Sequence, residues 1–210
     1  MGRDEVSAVD FANLSPMTLA DCLPRSQVME FAMRPLWPSP RIAGPAYTVR
    51  CCAGDNLMLH AAIYRAPPGS VIVAEAGDLD YALAGGNVCA VAQRNGVAAF
   101  VLDGVVRDLV EIRDLKFPVF AKGVTPKPGT KKLVGSLGES VTCGGVRVAP
   151  GDMIVADEEG IVVVPQAELS TVLAAGRKRA AADAAQSLDA WEKDHRQRIE
   201  EALSAQGFKG

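Results

Sequence analysis

Apolar residues along the first two thirds of the chain come in short runs bounded by glycine, proline and asparagine, and these runs alternate with stretches of helical spacing. Ser15 to Leu23 predicts a short helix, with Ser15 as N-cap and Pro16 in the first turn. The proline-rich stretch from Pro35 to Pro45 predicts a loop. Ala46 to Cys52 has strand composition. Asp55 to Tyr64 then has apolar residues at helical spacing, capped by Asp55 and stopped by Pro67-Pro68-Gly69. Ser70 to Glu75 predicts a buried strand. The same grammar repeats: Gly85-Gly86 open a helix from Asn87 to Asn95, Gly96 closes it, and Val97 to Leu102 suits a central parallel strand. A short helix from Leu109 to Leu115 leads into a strand from Val119 to Lys122.

The pattern changes after that. Val141–Cys143, Val146–Val148, Met153–Ala156 and Gly160–Val164 are short apolar runs separated by Gly-Gly and Pro-Gly-Asp turns, which implies mostly antiparallel pairing. From Ala167 to about Ser204 the spacing is helical, with much Ala, Arg, Lys and Glu. These elements predict an α/β domain over residues 1–166, built of two stacked sheets or of one sheet and a small β layer. A helical extension over residues 167–210 follows. Leu188, Trp191, Ile199 and Leu203 form an apolar stripe among its charges, a face that needs a partner surface.

Composition narrows the function. With 49% hydrophobic and 22% charged residues in a chain of 210, there is material for a sizeable core. A net charge of −3 supplies no basic stripe and excludes nucleic acid as a partner. The one basic cluster, Lys127 to Lys132, is broken by Pro128 and Gly129 and reads as a solvated loop. Five cysteines without CxxC spacing fit a reduced compartment better than a disulfide framework. The N-terminus lacks the layout of a signal peptide, and no apolar run reaches the ~18 residues that cross a bilayer. A cytoplasmic protein without a membrane partner is expected.

Arg107-Asp108, directly after an apolar strand, is the pair that carries the most chemistry. It sets a fixed cation and a metal-capable carboxylate at one strand edge. Gly85-Gly86 lies some twenty residues earlier, where backbone N–H groups at a helix start can hold an anion, or where the glycines simply make a tight turn. Glu111 falls one turn beyond Asp108 on the same helix face, either ordering water at the site or solvated. Asp103 reads as a turn residue, His60 as a hydrogen-bonded core histidine, and Lys122 as a surface lysine or a charge near the site. Cys51 and Cys52 have no base beside them, so nucleophilic catalysis has no support. With two histidines in the chain and no clustered cysteines, a zinc site has none either.

Taken in order, several segments resemble the RraA-like proteins, which include aldolases acting on 4-hydroxy-4-methyl-2-oxoglutarate and 4-carboxy-4-hydroxy-2-oxoadipate. They are GDN to His60 (Gly54–His60), the Pro68-Gly69 turn, LDGVVRD (Leu102–Asp108), FPVFAKG (Phe117–Gly123) and PGDMIVADEEGIVVVP (Pro150–Pro165). The resemblance implies a swivelling β/β/α domain, a homotrimer or homohexamer, and sites near subunit interfaces. It implies that Arg107 binds a pyruvyl group and its developing enolate, that Asp108 ligates Mg²⁺ or Mn²⁺, and that the loop Leu83–Val88, with Gly85, Gly86, Asn87 and Val88 as its binding residues, gives backbone N–H groups to a substrate carboxylate. Glu192, Asp194 and Arg196 resemble a stretch of the family's terminal helix that approaches a neighbouring subunit.

The family's aldolases carry an aspartate with twenty residues between it and the Arg-Asp pair, where this chain has Gly86. Asn87 or Glu111 stands closest to replace it. The expected function is a metal-dependent class II lyase that cleaves 4-hydroxy-2-keto acids to pyruvate, with oxaloacetate decarboxylase activity. Arg107, Asp108 and Glu111 are its candidate catalytic residues. The alternative is a non-catalytic regulator of ribonuclease activity that acts by protein–protein binding. A methyltransferase is not expected, because no glycine-rich S-adenosylmethionine loop follows a strand.

Overall fold

Val71 to Ala74 and Ala99 to Leu102 have no polar alternates, and strands of that kind need cover on both faces. A computed structural model, which describes residues 7–38 and 41–208, provides it. Residues 39 and 40 of the expected proline-rich loop, and the first six residues read against a signal peptide, lie outside the described part. The chain divides into two compact units, Met1–Gly176 and Arg177–Gly210.

The first unit opens with helices α1 (Ala8–Ala12) and α2 (Pro16–Ala20). The Ser15 hydroxyl accepts from the Thr18 N–H at 3.1 Å, the cap that its position predicts. A 3₁₀ turn at Arg25–Gln27 and the two-residue strand β1 (Arg34–Pro35) follow. Strand β2 (Ile42–Arg50) precedes α3 (Leu57–Ala62), β3 (Val71–Glu75), α4 (Gly86–Arg94), β4 (Ala99–Val106), α5 (Leu109–Leu115) and β5 (Val119–Val124). Five short strands come next: β6 (Ser136–Leu137), β7 (Val141–Cys143), β8 (Val146–Val148), β9 (Met153–Asp157) and β10 (Gly160–Val164).

The main sheet runs β1-β5-β4-β3-β2-β9-β10, with β6 also paired to β2. Strands β2 to β5 are parallel neighbours in chain order, as βαβ units require. Strand β2 spans two pairings. Its first half, Ile42 to Pro45, lies antiparallel to β9, and from Ala46 it pairs with β3. The strand therefore begins inside the stretch expected to be a loop, and it ends at Arg50, ahead of Cys51 and Cys52. A side chain at Gly44 would come within 2.6 Å of the Gly69 carbonyl, so the crossing from one pairing to the other needs a glycine there.

Strand alternation sorts the core into two layers. Ile72, Ala74, Phe100, Leu102, Val119 and Ala121 face α3, α4 and α5. Val71, Val73, Ala99, Val101 and Phe120 face the β7–β8 hairpin and strands β9 and β10. Helices on one side and a β layer on the other make the expected β/β/α arrangement.

Helix α6 (Leu169–Ala185) begins in the first unit, where Val172 and Leu173 are buried. The continuous helix expected from Ala167 to Ser204 is in fact two. It breaks at Gln186 and Ser187, and α7 (Leu188–Ala205) restarts with the Ser187 hydroxyl accepting from the Ala190 N–H at 3.2 Å. Among the described residues no helix is long and apolar enough to cross a membrane.

Candidate active site

Strand β4 ends at Val106, and the chain turns into α5 through Asp108, which holds φ 59° and ψ 42°. That left-handed conformation is unusual for a residue with a side chain, though aspartate adopts it more readily than most. Segment Ala82–Ala84 lies alongside the strand end. The Leu83 N–H donates to the Val105 carbonyl and the Arg107 N–H to the Ala84 carbonyl, each at 2.9 Å. These bonds bring the start of α4 against the start of α5.

The Asp108 carboxylate bridges the two. Its Oδ2 accepts from the Gly86 N–H at 3.1 Å and lies 3.5 Å from Arg107 Nε. A Cβ at Gly85 would sit 2.3 Å from that same oxygen, so the close approach depends on glycine. At Gly86 a Cβ would fall 1.8 Å from Glu111 Oε2 and 2.8 Å from Glu111 Cβ. The carboxylate of Glu111 therefore occupies the space that a side chain at position 86 would fill.

Gly85, Asn87, Val88, Arg107 and Asp108 line a common cavity of about 80 Å³. Glu111 and Gly86 are beside it rather than in its wall. The rest of the wall includes residues not expected in a site. Asn56 and His60, one turn apart at the start of α3, lie there with Pro128 and Lys131.

The Lys127–Lys132 stretch is exposed at every residue but Gly129, the solvated loop expected of it, yet its backbone is pinned beside the cavity. Its Lys127 carbonyl accepts from the Ala82 N–H and its Thr130 carbonyl from the Asn56 N–H, both at 2.8 Å. Asn56 is only 5% exposed; its Nδ2 donates to the Ala82 carbonyl at 3.1 Å, and its Oδ1 has no protein partner among the described residues.

Electrostatically the cavity is a cationic pocket with one anionic edge. Burial, with the nearby Lys131 ammonium, pushes the His60 imidazole down to about 4, against a smaller opposing pull from Asp55. His60 is therefore neutral at physiological pH. Burial raises the Cys89 thiol to about 12, helped by Asp108, and the Cys51 thiol to about 11, so neither provides a thiolate.

Other candidates are elsewhere. Asp103 is not in a turn, because β4 runs on through it; its Oδ2 accepts from the Gly144 N–H at 2.9 Å. Lys122 pairs with Asp103 and, at 2.8 Å, with Glu30, away from the cavity wall. His195 stacks on Trp191 in the second unit with ring centroids 4.5 Å apart.

The sequence pattern of a family described as RraA-like, Aldolase/RraA, matches residues 16–163. A protein of Halalkalibacterium halodurans named "Putative 4-hydroxy-4-methyl-2-oxoglutarate aldolase" is 36% identical over 187 residues, covering 88% of this chain and 89% of its own. Among solved structures, one described as the RNA-processing inhibitor RraA from Thermus thermophilis aligns with a TM-score of 0.66 at 30% identity, over 71% of this chain and 92% of that one. Another, RraAS2 of Streptomyces coelicolor, aligns with a TM-score of 0.72 at 26% identity, over 94% of this chain and all of its own.

Proposed function

The chain belongs to the RraA-like family, and from that premise we propose that it is a divalent-metal-dependent lyase releasing pyruvate from 4-hydroxy-2-keto acids and from oxaloacetate. The observation that carries this reading is the convergence of Arg107, Asp108 and the start of α4 on one small cavity. Both reactions break the bond between C3 and C4 of a 2-keto acid and leave its electrons on C3 as the enolate of pyruvate. In the first, the C4 hydroxyl loses its proton and becomes a carbonyl; in the second, carbon dioxide leaves. One site that stabilises the enolate serves both.

The donor chemistry suits Mg²⁺ or Mn²⁺. Among the described residues no group of three or more His, Cys, Asp or Glu forms a closed metal cage. A single exposed-side carboxylate, Asp108, suits a hard cation that keeps most of its waters and takes further oxygens from the substrate. Asp108 would hold the metal, which when bound supplies Lewis-acid charge beside the keto oxygen. Arg107 gives fixed positive charge where the enolate develops, with a planar guanidinium matched to a carboxylate. The N–H groups of Asn87 and Val88 in the first turn of α4 receive the substrate carboxylate. Glu111, filling the space beside Gly86, would take the part of the aspartate that the family's aldolases carry at that position, ordering water or moving a proton at C3.

The assembly is a homotrimer or homohexamer. Leu188, Trp191 and Ile199 on α7 are 75%, 43% and 44% exposed, an apolar face that a neighbouring copy would cover.

The likeness to an RNA-processing inhibitor favours a second reading, a binding protein without turnover. A coupled pyruvate-release assay with oxaloacetate and 4-hydroxy-4-methyl-2-oxoglutarate, with and without Mg²⁺ or Mn²⁺, separates the two. Release from neither substrate would leave the binding reading.

A further inference from the structure

Asp55 has a larger part in the fold than capping a helix. It is 3% exposed, and its two carboxylate oxygens reach in different directions. Oδ1 accepts from the Leu57 N–H at 2.8 Å, at the start of α3. Oδ2 accepts from the Lys132 N–H and from the Thr130 hydroxyl, both at 2.6 Å, in the basic loop. The Thr130 N–H donates to the Gly54 carbonyl at 2.8 Å and completes the tie. One buried carboxylate thus joins the helix that carries Asn56 and His60 to the loop that carries Pro128 and Lys131, and those four residues line the same cavity as Arg107 and Asp108.

We propose that Asp55 is a positioning residue of the active site: it clamps the Lys127–Lys132 loop onto the start of α3 and so sets Lys131 and His60 in the cavity that Arg107 and Asp108 line. The inference rests on the reading of this cavity as the keto-acid site. Asparagine cannot replace the aspartate here. Oδ2 takes two donors and Oδ1 a third, so an amide turned either way sets its own N–H against a donor. The loop then keeps only its backbone ties to Gly54, Asn56 and Ala82, and Lys131 moves away from the cavity.

His60 reports that movement without any need for turnover. Lys131 and burial lower its pKa, and Asp55 raises it; Arg107 and Asp108 share its cavity and are unchanged in the variant. If Asp55→Asn frees the loop, burial and the Lys131 charge are both relieved, and the His60 pKa rises from about 4 toward 6.5. If the loop stays in place, only the favourable charge of Asp55 is lost, and the pKa falls further. The two outcomes have opposite signs.

The experiment is an NMR titration of the imidazoles in full-length wild type and Asp55→Asn at one Mg²⁺ concentration. With two histidines in the chain, His60→Gln assigns the signal. An upward shift of a unit or more is expected; a downward shift or none overturns the proposal. Should Asp55→Asn fail to fold, Thr130→Val removes one of the clamp's donors while keeping the charge, and again an upward shift is expected and no shift overturns it.

The kinetic counterpart is a double-mutant cycle with oxaloacetate. Asp55→Asn and Lys131→Met should each raise KM about tenfold with kcat within a few-fold, and the double variant should do no worse than the worse single one. Multiplied effects would mean that Asp55 does not act through the loop. A wild type that releases no pyruvate sinks the lyase reading alone, since the titration still decides the role of Asp55.

Discussion

Asp108 pays for its place with a left-handed backbone, a conformation that costs most L-residues roughly 1–2 kcal/mol. Asparagine tolerates it almost as well as aspartate, so Asp108→Asn removes the anionic ligand without the added strain of alanine. Beside it, the fit between Gly86 and Glu111 makes a directional prediction. Gly86→Asp restores the family's aspartate but drives a side chain into the Glu111 carboxylate, with Cβ to Oε2 at 1.8 Å before any adjustment. Pyruvate release should fall tenfold or more, on the order of the loss when one positioned acid–base group is displaced. Adding Glu111→Ala to that variant should recover part of it, while Glu111→Gln alone should damage the native enzyme. Higher turnover from Gly86→Asp alone would mean that the native site lacks a carboxylate that Glu111 does not replace. Acid stability follows from two groups whose folded pKa values are depressed. His60 falls from 6.5 to about 4 because of burial and Lys131. Burial alone would raise Asp55, but the Thr130 hydroxyl and the N–H groups of Leu57, Lys132 and Leu133 hold it down from 3.8 to about 2. In both cases the unfolded chain takes up the proton first, so stability present at higher pH is lost as pH falls. The thermal midpoint should decline from pH 6.5 to 4 through His60, and again from about 4 to 2 through Asp55. His60→Gln should remove the first decline; an unchanged slope in that variant would show that other groups cause it.

At the level of elements, β2 is the piece on which the sheet turns. Its first half belongs with β9 and its second with β3, and Gly44 lets the chain pass against the Gly69 carbonyl. Gly44→Ala must push two backbones apart, so it should destabilise the fold by about 2 kcal/mol or more. Urea unfolding measures this, and a change under ~0.5 kcal/mol would show that the crossing has slack. The parallel strands and the helices between them were legible in the sequence because burial imposes a period on local residues. Arg107-Asp108 was legible too, since it follows an apolar run without a gap. What escaped has no such period. The Lys127–Lys132 loop is solvated, as its sequence suggests, but its part in the cavity escapes because its anchors, Asp55, Asn56 and Ala82, are 45 to 77 residues away in sequence and leave no local trace. Asp103 reads as the end of its strand because aspartate-glycine marks a turn, yet its polar side chain meets the Gly144 N–H and Lys122 across the β layer and the strand goes on. The break between α6 and α7 did leave a sign, Ser187 in a capping position, but the alanine-rich stretch before it and the charged helix after it hide the interruption.

As a whole molecule the protein should assemble. A chain of 22.1 kDa that exposes Leu188, Trp191 and Ile199 along one helix should not remain single at micromolar concentration. Light scattering should give three or six times the mass of the chain, and a stable 22.1 kDa species would contradict the assembly. The net charge of −3 also bears on substrate capture: the molecule as a whole repels anions, so the cavity's own cations, Arg107 and Lys131, must draw in an acidic substrate locally. The most direct test of the central claim is pyruvate release from oxaloacetate across a Mg²⁺ titration, measured on wild type and Asp108→Asn side by side. Wild type should release pyruvate only as Mg²⁺ saturates, and the variant, though folded, should lose on the order of a hundredfold or more at the same metal concentration. Equal release by the two proteins, or release by wild type that chelation does not abolish, would contradict a metal-assisted lyase built on Asp108.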